Sequence, residues 1–152
     1  MLQVGDIVFV RGTSLISQLI RKIDGQYSHV TMMVTDYDSI EAVYHSKCKI
    51  KPFEHEDYDV IRLDLTKEQQ DKILSVAKTL EGKRYDFLQI LRIIYEDLFH
   101  RRGEYKFNSP NRLICSEAVV IILQEIGAIP RGIVPKDTTP NRLYEYLKDY
   151  RK

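Results

Sequence analysis

The stretch that decides the fold is "YDVIRLDLTKEQQDKILSVAKTLEG", residues 58–82. Its first eight residues, with Val60, Ile61, Leu63 and Leu65 set among Asp59, Arg62 and Asp64, read as a strand. At Thr66 the pattern changes. Thr66 followed three residues later by Gln69 is a capping-box signature, and the apolar residues beyond it recur at helical spacing until Gly82 provides a stop.

Everything before this switch reads as mostly β. "GDIVFVRG" (5–12) is an apolar run between glycines and predicts a strand, and "SLISQLIRKI" (14–23) predicts a short amphipathic helix capped by Ser14. "YSHVTMMV" (27–34) and "SIEAVYHS" (39–46) predict two strands joined by the polar "TDYD" (35–38). Everything after the switch reads as helical. "YDFLQILRIIYEDLFH" (85–100) predicts one helix, the segment from Cys115 to Gly127 another, and "NRLYEYLKDY" after Pro140 a last one. Strands first and helices after predict an α+β domain, not a doubly wound α/β one. No repeat, low-complexity tract or linker divides the 152 residues, so a single domain over 1–152 is expected.

Composition narrows the function classes. A chain of this length buries ~70% of the surface its unfolded form exposes, so it folds without disulfide or metal support. The two cysteines, Cys48 and Cys115, are too few for a secreted disulfide framework and form no C-x-x-C pair. Lys plus Arg (23) balances Asp plus Glu (22), which argues against nucleic acid as a main partner. No signal peptide and no membrane span are recognisable, so a cytoplasmic protein without stable membrane insertion is expected.

Cys115 lies in "RLICSEAVVIILQEIG" (112–127), where it shares an apolar stripe with Val119, Ile122 and Ile126. A free cysteine on such a stripe behaves as a small hydrophobe. Its position adds a second reading, because the first turn of a helix presents unpaired N–H groups and the positive end of the macrodipole, which favour thiolate. A helix terminus contributes at most ~2 kcal/mol. Full activation therefore needs a partner, most naturally histidine.

Of His29, His45, His55 and His100, His29 sits within an apolar strand, where alternation puts it on one face with Thr31 and Met33. Glu41 is an acid in an equally apolar setting. A hairpin turning around Thr35 puts Glu41 directly opposite His29; a turn centred on Tyr37 puts His45 there instead. Periodicity leaves both open.

"GDIVFV", "SHVTMMVTDYDSIEA", "GKRYDFLQIL" and "ICSEAV", in that order, resemble the circularly permuted branch of the NlpC-type papain-fold cysteine hydrolases, the YiiX-like proteins, with lecithin retinol acyltransferases as more distant relatives. The resemblance spans residues 4 to about 143. It implies an antiparallel sheet or small barrel from the first half packed against helices from the second. It also implies a catalytic triad of Cys115, His29 and Glu41, with Tyr85 beside the cysteine as an oxyanion or substrate contact. Such triads are defined by geometry, not chain order.

The expected activity is acyl transfer through a thioacyl-enzyme, with a small peptide, amide or acyl substrate. Water as acceptor gives a peptidase, amidase or thioesterase, and an alcohol or amine gives an acyltransferase; a binding module that keeps the fold without turnover is the other alternative. No cofactor is expected. His45, Cys48 and His55 do not match a zinc-finger spacing and lack a fourth ligand, so no metal is expected there. Glu117 reads as a dipole-complementing acid of the first turn. The basic cluster His100, Arg101, Arg102, Lys106 and Arg112 reads as a solvated loop, or as a site for an anionic group on the substrate.

Overall fold

The computed structural model describes residues 1–42, 46–86, 92, 96, 99 and 112–150. Five strands form one antiparallel sheet in the order β4-β3-β2-β1-β5: β1 Ile7–Val10, β2 His29–Met33, β3 Asp38–Glu41, β4 Lys49–Pro52 and β5 Tyr58–Ile61. Four α-helices accompany it among the described residues: α1 Leu15–Ile23, α2 Lys67–Leu80, α3 Cys115–Glu125 and α4 Pro140–Lys148. The expected α+β class is observed.

The strand alternation sorts the core into two layers. Ile7, Phe9, Val30, Met32 and Ile40 pack with the apolar residues of α2, α3 and α4 into the main core. Val8, Val10 and Met33, offset by one residue, form a smaller cluster with Phe53, Tyr58 and Val60. Helix α3 contributes Val119, Val120, Ile122 and Leu123, all fully buried, to the main core. Burying a side chain of this size contributes roughly 1.5–3 kcal/mol, so α3 is anchored along its length.

The helix boundaries follow from their caps. Ser14 accepts a hydrogen bond from the Ser17 N–H, and Thr66 and Gln69 form the expected capping box. Gly127, at φ 73°, ends α3: its N–H donates to the Gln124 carbonyl while the Ala128 N–H donates to the Leu123 carbonyl, a Schellman closure that needs the left-handed residue.

Three features depart from the sequence reading. β4 was not expected: "KIKP" is charged, half-exposed and ends in proline, the composition of an edge strand. The strand expected over 39–46 is observed only as β3, and His45 lies outside the described residues. Tyr85 does not open a helix. It belongs to β6 Arg84–Tyr85, which pairs in parallel with β7 Arg112–Leu113, so Tyr85 stands beside Leu113. Most of the helix expected over 85–100, and the basic loop apart from the backbone of Arg112, lie outside the described residues. No helix among the described residues is long and apolar enough to cross a membrane.

Candidate functional site

Cys115 is the first residue of α3 and His29 the first of β2, and packing of α3 against β2 brings these two ends together. Cys115 lies close enough to His29 for hydrogen bonding and charge to act on the ring. The other side of the ring is committed as well: His29 Nε2 lies 2.7 Å from Glu41 Oε2. Nδ1 is therefore the nitrogen left to the thiol.

The β2–β3 register is intermediate between the two considered from the sequence. Met32 faces Ile40 and Met33 faces Ser39, which centres the turn on Asp36. Glu41 thus falls two residues short of the position opposite His29. Because side chains alternate with period two, both still share a face, and the contact is a diagonal one.

Glu41 is completely buried and its oxygens are divided among three donors. Oε2 faces His29, and Oε1 accepts from Ser39 Oγ at 2.8 Å and faces His55 Nε2 at 3.1 Å. Burial alone would raise the carboxyl's pKa; the charge of His29 and hydrogen bonds from both histidines outweigh it and hold the group far below the usual carboxylate range. Burial alone would likewise lower His29. The Glu41 charge, with contributions from Cys115 and both hydrogen bonds, pushes it up to about 10 instead. Glu41 and His29 are therefore an ion pair at neutral pH.

The supports of this group are polar and at least partly buried. Asn141 Oδ1 accepts from the Tyr27 N–H at 2.9 Å and its Nδ2 donates to the Tyr27 carbonyl at 2.7 Å, fixing the chain just before β2. Ser116, fully buried, donates to the Thr138 carbonyl and ties the first turn of α3 to the segment before α4. Glu117 accepts from the Ile114 N–H at 3.4 Å, the end-of-helix role its position suggested. Tyr85 packs against Ile20 and Ile114, and burial together with the Cys115 charge raises its phenol pKa.

The other thiol differs. Both thiols are buried, but at Cys48 burial together with the charges of Glu81 and Glu41 pushes the thiol up to about 12. Such a thiol stays protonated and unreactive.

Two members of the group were not found from the sequence. His55 sits in "FEHEDY", whose flanking acids read as solvated loop; it lies in the connection from β4 to β5, the two edges of the sheet, and meets Glu41 there. Ser39 was legible, since a residue two before Glu41 on the same strand shares its face. His29, Glu41 and His55 also place one potential metal-ligating atom each within 4.8 Å of one another. This set differs from the His45, Cys48 and His55 combination considered from spacing.

No protein-family model matches the sequence, and no curated protein matches it. Among solved structures the chain is similar to the crystal structure of metalloprotein YiiX from Escherichia coli O157:H7, with 27% sequence identity and a TM-score of 0.64. The alignment covers 97% of this chain and 81% of that one. The likeness supports a YiiX-like fold.

Proposed function

We propose that the protein is a cysteine hydrolase in which Cys115, His29 and Glu41 act as nucleophile, base and orienting carboxylate on a permuted NlpC-type papain-like fold formed by a single domain. One observation carries the reading. A thiol in the first turn of a buried helix acts on an imidazole whose Nε2 is held by a fully buried carboxylate.

In this mechanism the Cys115 proton already resides on His29, and the thiolate beside this imidazolium attacks a carbonyl carbon, giving a tetrahedral oxyanion. Collapse breaks the bond to the leaving amine or thiol, which receives the proton from His29. A water, deprotonated by His29, then attacks the thioester, and the second collapse releases the acid and restores the thiolate beside protonated His29. The backbone N–H of Cys115, at the start of α3, is the natural oxyanion donor, with Tyr85 as the side-chain candidate. A small peptide, amide or acyl compound suits this chemistry. An activated acyl probe incubated with the protein and analysed by mass spectrometry tests it: an acyl group on Cys115 of wild type, absent in Cys115→Ala, supports the reading, and an unmodified Cys115 contradicts it.

A second reading has a specific observation in its favour. YiiX, whose structure the chain resembles, is a metalloprotein, and His29, Glu41 and His55 supply two imidazoles and a carboxylate close together. These donors fit a divalent first-row ion such as zinc, which would supply Lewis-acid polarisation when bound.

A further inference from the structure

We propose that the two readings are linked: His29, Glu41 and His55 bind a divalent first-row metal ion, and filling this site withdraws His29 from Cys115. The second clause rests on the thiol–imidazole reading above. The hydrolysis assigned to Cys115 uses one of the two imidazoles on Glu41 and leaves His55 without a role. Yet His55 Nε2 is aimed at the same buried carboxylate, 3.1 Å from Oε1, with its ring centroid 5.4 Å from that of His29. Two imidazoles converging on one anionic oxygen pair is a donor set that zinc takes, and Ser39 holds Glu41 from outside as supporting groups of metal sites do.

The distances make hydrogen bond and metal alternatives. Ligand atoms on a tetrahedral zinc with bonds of 2.0–2.1 Å stand about 3.3 Å apart. His29 Nε2 and Glu41 Oε2 are 2.7 Å apart and share a proton. Coordination uses the same Nε2 lone pair, so the Nε2 protons of both histidines pass to solvent and the His29–Glu41 pair must open. A neutral His29 bound through Nε2 carries its one remaining proton on Nδ1, the nitrogen facing the thiol. It then has neither the positive charge that holds Cys115 as a thiolate nor a lone pair for the thiol proton. The metal would thus switch off the thiol without touching it.

The experiment uses chelator-stripped full-length protein titrated with zinc, and with cobalt(II) for its spectrum. Expected are one equivalent bound by wild type, unchanged affinity in Cys115→Ala, and a loss of about tenfold or more in His55→Gln. The cobalt spectrum shows visible d–d bands without a sulfur-to-cobalt charge-transfer band. Iodoacetamide modification of Cys115 slows about tenfold or more on loading and recovers on chelation. Absence of stoichiometric binding, or affinity unchanged in both His55→Gln and Glu41→Gln, overturns the site; a sulfur charge-transfer band overturns this ligand set. Stoichiometric binding with unslowed modification overturns the competition alone. If Cys115 is unreactive even without metal, the hydrolase reading and the competition fail together while the binding arm still decides the site.

Discussion

His29 meets Glu41 diagonally across β2 and β3, Nε2 to Oε2 at 2.7 Å, instead of facing it. The diagonal leaves the second carboxylate oxygen open to Ser39 and His55, so one buried acid anchors three groups. Replacing it separates orientation from packing. Glu41→Gln keeps the volume but cannot hold a charged His29, and loss of an orienting carboxylate costs roughly 10⁴ in rate where the wrong tautomer results. A fall of at least about 10² in Cys115 acylation is expected, while the far-ultraviolet circular dichroism spectrum is retained.

The same ion pair sets a pH profile for stability. Glu41 has its ordinary value of 4.5 lowered in the fold, so its contribution is complete above 4.5 and is lost as pH falls. His29 is raised from 6.5 to about 10, so its contribution is complete below 6.5 and is lost as pH rises towards 10. Both describe one interaction. The difference in urea midpoint between wild type and Glu41→Gln, measured with chelator present, should peak between pH 4.5 and 6.5 and shrink on either side; a difference that keeps growing up to pH 9 contradicts the assignment.

The two thiols should be chemically distinct. Cys48, pushed up to about 12, should resist iodoacetamide until the protein unfolds, whereas Cys115, equally buried but beside His29, reacts in the folded state. Peptide mapping after brief alkylation, with and without urea, checks this. Equal modification of both cysteines in the native protein contradicts it.

Tyr85→Phe isolates the phenol. The ring's packing against Ile20 and Ile114 survives the change, so the melting temperature should stay near wild type. An oxyanion donor is worth about 10²–10³ in kcat. With an activated ester as probe, a fall of that order in kcat at constant KM assigns the hydroxyl to the oxyanion, and an unchanged kcat returns Tyr85 to a packing role.

What was legible in the sequence follows from how local each signal is. The Ser14 and Thr66 caps, the Gly127 stop and the apolar run of α3 are written in neighbouring residues, and all stand where spacing places them. Alternation likewise put His29 and Glu41 on one face. The register was not legible, because the centre of the "TDYD" turn depends on the hydrogen bond from Val34 N–H to Asp38 carbonyl and on Thr35 Oγ1 accepting from the Asp38 N–H, which strand periodicity cannot see. His55 was hidden by the same limit at longer range. It lies fourteen positions beyond Glu41, and the edge strand β4 between them lacks a clear apolar alternation.

The central claim is that His29 activates Cys115, and the most direct measurement is the rate at which an acyl electrophile modifies Cys115 in metal-free wild type and His29→Gln. The account predicts a drop of about 10² or more in the variant, with Cys48 unmodified in both. Equal rates in the two proteins, with both shown to be folded, would contradict it.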